Sequence, residues 1–240
     1  MDTDYKYAFF EKNSMKTKIE IPRTWGGYML PQFVELRELS KRDREDYIPD
    51  FIKVARSGFG SEMDALDILN HTLTPDFLVG AIFVYSDSVE LEGKLVGFGS
   101  FNLFEVEDHR ILYRNGNVVH SKLQKKGIGT AIQKYAIQEF KPTHICSRTQ
   151  NPNIYATMKK DCRELFPNEE RTLDPDIVKI VAVLEEKLNI KVNRETFIAR
   201  GLYGHSLYGI NPRHNEYSDL FDKLNLSQEQ GDAILLVGRI

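Results

Sequence analysis

Cysteine is scarce: Cys146 and Cys162 are the only two in 240 residues, too few for a disulfide framework. Neither has a Cys or His at metal-ligand spacing, so we expect buried free thiols and no metal site. Long apolar runs are also missing, and none approaches the roughly 18 residues that span a bilayer. The first residues, Met1 to Lys6, carry no apolar signal core. We therefore expect a cytoplasmic protein with no membrane partner. An excess of basic residues is missing too. Lys and Arg number 32 against 35 Asp and Glu, for a net charge of −3. That argues against affinity built on broad phosphate neutralisation, so no nucleic-acid partner is expected. The remainder is ordinary globular composition, 41% hydrophobic and 28% charged, at a length that suits one large domain or two small ones.

Apolar periodicity supplies the elements. Phe33–Arg37 reads as a short strand. Ser40 and Asp43 open a helix that Pro49 is expected to break before a further turn through Phe51, Val54 and Ala55. Ser61 and Asp64 open the next helix. Phe77–Tyr85 and Lys94–Phe104 read as paired strands around a turn at Glu92-Gly93, and Arg110–Val119 as a third strand. Asn115-Gly116 inside that third strand signals either a hairpin or a bulge. A helix spans 128–140, a strand 143–147, and a helix runs from Pro152 to about Leu165. Asp174 caps a helix begun by Pro175, and Ala233–Arg239 is a last apolar strand.

The sharpest feature is Gln124-Lys125-Lys126-Gly127-Ile128-Gly129, followed by Thr130-Ala131. An apolar pair, Val118-Val119, leads in. Behind the loop Ile128, Ala131, Ile132, Tyr135 and Phe140 fall on one helical face. A glycine-bearing loop thus joins a strand to a helix N-terminus, whose free N–H groups and partial positive charge suit a phosphate. Close packing of loop on sheet is the alternative reading of Gly-Ile-Gly. The loop lacks the Gly-Lys-Ser/Thr of a Walker A site, and Ile132 stands where a dinucleotide fingerprint needs Gly or Ala.

The pattern Gln-x-x-Gly-x-Gly, five residues after a strand Val, resembles motif A of the GNAT-superfamily N-acetyltransferases. The element order from 33 to 166 is similar to that family's. The resemblance implies an α/β GNAT acyl-CoA N-acyltransferase fold, with a mixed, mostly antiparallel central sheet splayed at the cofactor site and flanked by helices. It implies one N-acetyltransferase domain over 1–240, with an arm at 1–30 and an insert at 167–232. It favours a bulge at Asn115-Gly116. It also implies acetyl-CoA as co-substrate and an amine as acceptor. The pyrophosphate would lie on the main chain of Gln124, Lys125, Lys126, Gly127, Ile128, Gly129 and Thr130, with the two Lys adding charge or simply solvated. The pantetheine and acetyl oxygen would meet main-chain groups at Val118 and Val119.

Arg148-Thr149-Gln150-Asn151-Pro152-Asn153-Ile154-Tyr155-Ala156 resembles motif B, with Asn153 three residues before Ala156. Asn151 and Asn153 thereby join the cofactor set. The family's usual tyrosine falls at Lys160, so Tyr155 is the candidate acid for the leaving thiolate, or else a packing residue. No carboxylate lies on the Arg110–Val119 strand. Glu105, Glu107 and Asp108 precede it and His120 follows, and none is named as base. In the insert, the stretch from Tyr203 to Arg213 reads as an acceptor-side wall bearing Tyr203 and Tyr208, or as an ordered loop with aromatic anchors. The expected function is acetyl transfer to a primary amine of a small molecule, peptide or protein, by a monomer or homodimer. The alternative is a non-catalytic CoA-binding sensor or interaction protein of the same fold.

Overall fold

A computed structural model describes residues 19–20, 28–35, 40–60, 64–84, 94–168, 174–208 and 210–240. The expected turn at Glu92-Gly93, Ser61, and most of the 1–30 arm with Trp25 lie outside the described residues. The chain divides into two compact units: residues 1–102 with 114–140, and residues 103–113 with 141–240.

In the first unit, β1 (Ile19–Glu20), β2 (Tyr28–Glu35), β3 (Phe77–Val84) and β4 (Leu95–Val106, its N-terminal part) pair in that order, each antiparallel to the last. Helices α1 (Lys41–Phe59) and α2 (Ala65–Leu73) connect β2 to β3. Phe51, Val54 and Ala55 of α1 are buried with Ile68 of α2, Leu78, Phe98 and Val118. Phe51 meets Phe98 edge to face, centroids 4.9 Å apart. Pro49 does not break α1. The helix runs through it, with Pro49 exposed, so the carbonyl it leaves unbonded can reach water while the apolar stripe beyond stays in the core. β5 (His109–Val119) is one continuous strand, so Asn115-Gly116 turns no hairpin; the β4–β5 turn is at Glu107-Asp108. Helix α3 (Ile128–Phe140) matches its expected span. It seats closely because β4 has glycine beneath it. A Cβ on Gly97 would stand 3.3 Å from Ile128 and Ile132, and one on Gly99 would stand 2.9 Å from Ile132.

The second unit holds the rest of β4 and β5, then β6 (His144–Thr149), α4 (Pro152–Asp161), β7 (Glu164–Phe166), α5 (Pro175–Leu188), β8 (Ile198–Ala199), α6 (Ser218–Lys223) and β9 (Ala233–Arg239). β9 is the organiser. It pairs antiparallel with β6, with β7 and with β8, and all but its last residue are buried. Asp174 caps α5 by accepting the Asp176 N–H at 2.8 Å, and Pro175 takes the first helical position. α4 stops at Asp161 rather than near Leu165. Leu165 and Phe166 instead enter β7 opposite Gly238 and Val237 and are buried there. Gly238 carries no side chain at a point where a Cβ would lie 2.3 Å from the Cys162 sulfur. The described elements are those of the expected class, a mixed α/β fold with a mostly antiparallel open sheet flanked by helices.

Candidate active site

β5 delivers Val118, buried, and Val119, half-buried, to the loop. The His120 N–H bonds the Val96 carbonyl at 2.8 Å, which keeps the strand end on β4. His120 then turns the chain. Its Nδ1 accepts the Lys122 N–H at 3.3 Å and caps a 3-10 turn over Ser121–Leu123. The Gln124 side chain, though exposed, folds back on the backbone. Its Nε2 donates to the Gly58 carbonyl at 2.9 Å and the Val119 carbonyl at 3.3 Å. Ser121 adds a backbone N–H to the Ser57 hydroxyl at 3.1 Å. The end of α1 is thus stitched to the end of β5, and a Cβ on Gly58 would lie 2.7 Å from the Val119 oxygen.

Lys125 and Gly127 take positive φ, +62° and +82°, so the backbone curls before α3 begins. The helical ladder opens with the Ala131 N–H on the Gly127 carbonyl at 2.9 Å. The N–H groups of Ile128, Gly129 and Thr130 precede it and present the positive end of the helix. Asn117 of β5 holds this start in place, its Nδ2 donating to the Gly129 carbonyl at 2.8 Å. Gly129 has ordinary backbone φ, and a Cβ there would come no closer than 3.5 Å to protein, at the Asn117 carboxamide. A Cβ on Gly127 would meet nothing within 4 Å. Close packing of loop on sheet therefore does not account for either glycine. A bare, cationic, curled loop at a helix start fits a pyrophosphate.

The second unit carries the motif-B segment. Asn151 caps α4, with its Oδ1 accepting the Asn153 N–H at 2.9 Å. The Asn153 side-chain amide reaches the same oxygen at 2.9 Å and the Arg213 carbonyl at 3.3 Å. Tyr155 is buried, its hydroxyl donates to the Pro167 carbonyl at 3.0 Å, and its ring packs on Tyr217 with centroids 4.9 Å apart. Lys160 is exposed. The carboxylates near the β4–β5 turn are engaged at the surface, Glu105 with Arg110 at 3.0 Å and Glu107 with Lys179 at 3.5 Å. In the insert, Tyr203 lies under the Arg148 guanidinium, 5.7 Å from ring centroid to Cζ, and its N–H bonds the Gly231 carbonyl at 2.9 Å. The Tyr208 N–H bonds the Ser206 hydroxyl at 3.2 Å.

Residues 44–157 match the sequence model of the Acetyltransferase (GNAT) family. The chain carries a GNAT acetyltransferase domain. Members of that family are acetyltransferases that use acetyl-CoA as acyl donor. No curated protein matches the chain by sequence. Among solved structures, it is similar to the ribosomal-protein-S18-alanine N-acetyltransferase of Escherichia coli, at 13% identity over 88% of this chain and 94% of that one, TM-score 0.40. It is similar to the IAA acetyltransferase of Bacillus cereus, at 12% identity over 88% and 99%, TM-score 0.42. It spans 44% of an acetyltransferase from Pyrococcus horikoshii, using 57% of its own length at 15% identity and TM-score 0.40. Among the described residues, no helix is long and apolar enough to cross a membrane, and no cluster of His, Cys, Asp or Glu is placed to hold a metal.

Sequence reasoning missed Asn117, Ser57 and Gly58, which position the loop without belonging to it. Gln124 was visible in the motif, but the partner of its amide, 66 residues away, was not.

Proposed function

We propose that the chain, acting as a single acetyltransferase domain, moves the acetyl group directly from acetyl-CoA to a primary amine of a small molecule, peptide or protein. The observation that carries the cofactor half is Gly129, a glycine that neither backbone φ nor packing requires, at the open end of α3. Bound there, acetyl-CoA supplies a thioester whose acyl carbon is open to the amine nitrogen. The N–H groups of Ile128, Gly129 and Thr130, with the main chain of Gln124 and Gly127 and the charges of Lys125 and Lys126, hold the pyrophosphate. Main-chain groups at Val118 and Val119 orient the pantetheine and polarise the thioester carbonyl. Asn151 and Asn153 complete the cofactor set. Tyr155 supplies a proton to the departing thiolate, for which its hydroxyl must exchange the Pro167 carbonyl for sulfur. The Tyr203–Arg213 loop, with Tyr203 and Tyr208, forms the acceptor-side wall. A thiol-release screen with acetyl-CoA and pooled primary amines (polyamines, amino acids, aminoglycosides, lysine peptides) tests the reading. Release with one pool and not with buffer supports it. Tight acetyl-CoA binding with no release from any pool turns the chain into a sensor.

A further inference from the structure

Gln150, the residue after β6, is wholly buried. A buried carboxamide has two N–H donors and one oxygen to satisfy. The Gln150 Oε1 accepts the backbone N–H of Leu207 at 2.9 Å. Its Nε2 donates to the Asp232 carbonyl at 3.0 Å and lies 3.3 Å and 3.5 Å from the carbonyls of Gln228 and His205. The Gln228 side chain returns a bond to the Gln150 carbonyl at 3.0 Å. One side chain therefore ties the end of β6 to the turn before β9 and to the loop that carries Tyr203 and Tyr208.

The start of that loop is held by other means. The buried Asp232 carboxylate accepts the N–H groups of Gly201 at 2.9 Å and Ser227 at 3.0 Å, and it pairs with Arg200. Gly231, at φ +77°, lets the two turns cross where a Cβ would sit 2.4 Å from the Gly204 nitrogen. The middle of the loop, residues 205–207, is where Gln150 acts. Ser206 contributes local bonds there, to the Tyr208 carbonyl at 2.9 Å, the Tyr208 N–H at 3.2 Å and Asn211 at 3.4 Å. Leu207 itself is 37% exposed, so its apolar side chain is not what anchors this stretch.

We propose that Gln150 is a positioning residue of the acceptor site, holding residues 205–207 and through them setting the placement of Tyr203 and Tyr208. The inference rests on the reading of that loop as the acceptor-side wall. The geometry accepts few substitutes. Asparagine is one methylene short, methionine fills the space but bonds nothing, and glutamate keeps the oxygen for Leu207 while turning a second oxygen on main-chain carbonyls.

The experiment compares wild type with Gln150→Met, Gln150→Glu and the double variant Tyr203→Ala/Tyr208→Ala. Three readouts are needed: hydrogen exchange over 201–208, acetyl-CoA affinity by calorimetry, and thiol release with the responding pool of primary amines. Removing the hold on Leu207 should speed exchange over 201–208 by about tenfold or more in Gln150→Met and less in Gln150→Glu. Amine KM should rise about tenfold while kcat and acetyl-CoA Kd stay within about twofold. Should Gln150→Met fail to fold, Gln150→Glu is read against the same criteria. Unchanged exchange, or faster exchange with unchanged amine KM, overturns the proposal. The double variant separates the causes: if it raises KM where Gln150→Met does not, only the role of Gln150 fails. If neither moves KM, the loop is not the acceptor wall.

Discussion

Gly129→Val is the sharpest test of the cofactor loop, because the protein itself does not need glycine there. Gly127 would be a poorer choice. Its φ of +82° makes any side chain strained, at about 1–2 kcal/mol, so lost binding and lost folding would be confounded. At Gly129 a Cβ meets only the Asn117 carboxamide, at ordinary van der Waals distance of 3.5 Å. Valine is also a somewhat better helix former than glycine, so the melting temperature should move by less than about 4 °C. What valine does block is close approach of a pyrophosphate to the first N–H groups of α3. A hydrogen bond to a charged oxygen contributes about 1.5–3 kcal/mol, so losing one weakens acetyl-CoA binding by about ten- to a hundredfold. Calorimetry with acetyl-CoA, paired with thermal unfolding, reads both quantities. A folded Gly129→Val protein that binds acetyl-CoA as tightly as wild type refutes the placement of the pyrophosphate.

Tyr155→Phe should slow turnover with the responding amine more than it weakens acetyl-CoA binding. It should also cost about 1–2 kcal/mol of stability, because the Pro167 carbonyl loses its buried donor; unchanged turnover makes Tyr155 a packing residue. The double change Tyr203→Ala/Tyr208→Ala should raise amine KM about tenfold and leave acetyl-CoA Kd nearly unmoved, and equal loss in both would contradict a purely acceptor-side role. His144 is held neutral, its pKa lowered to about 4 by burial first and then by His109 and Arg239, against weaker opposing pulls from Asp176 and Asp174. Unfolded, it titrates near 6.5, so its contribution is fully present above that pH and is lost as pH falls from about 6.5 towards 4. The loss reaches on the order of 3 kcal/mol at most. Denaturant midpoints from pH 7 to 4.5 should fall less steeply in His144→Gln than in wild type, and parallel slopes would show that other groups govern acid unfolding.

How much was legible depended on whether the signal was local. The α5 start was readable because Asp174-Pro175 specifies a cap and a first turn through neighbours in sequence. β9 was readable because it is a mostly apolar run in which six consecutive residues are buried. Pro49 misled because proline interrupts a helix by one bond, and an exposed position lets water replace that bond. β7 was hidden because the helical pattern of α4 runs into it and only pairing with β9 decides against helix. β8 and α6 are too short for periodicity to show. At the site, the glycine loop was legible as a linear pattern. The amide bridge from Gln124 to Gly58, the Asn117 hold on Gly129 and the Gln150 contacts were not, because each joins residues brought together only by the fold.

The place of β9 sets an order on synthesis. Every strand it joins, β6, β7 and β8, is made before it. Until residues 233–239 emerge, those strands carry backbone donors and acceptors that their final neighbour alone can match. Chaperone dependence should therefore concentrate in the interval between translation of His144 and translation of Arg239. Nascent chains stalled just before Ala233 should be the species most prone to edge-to-edge association.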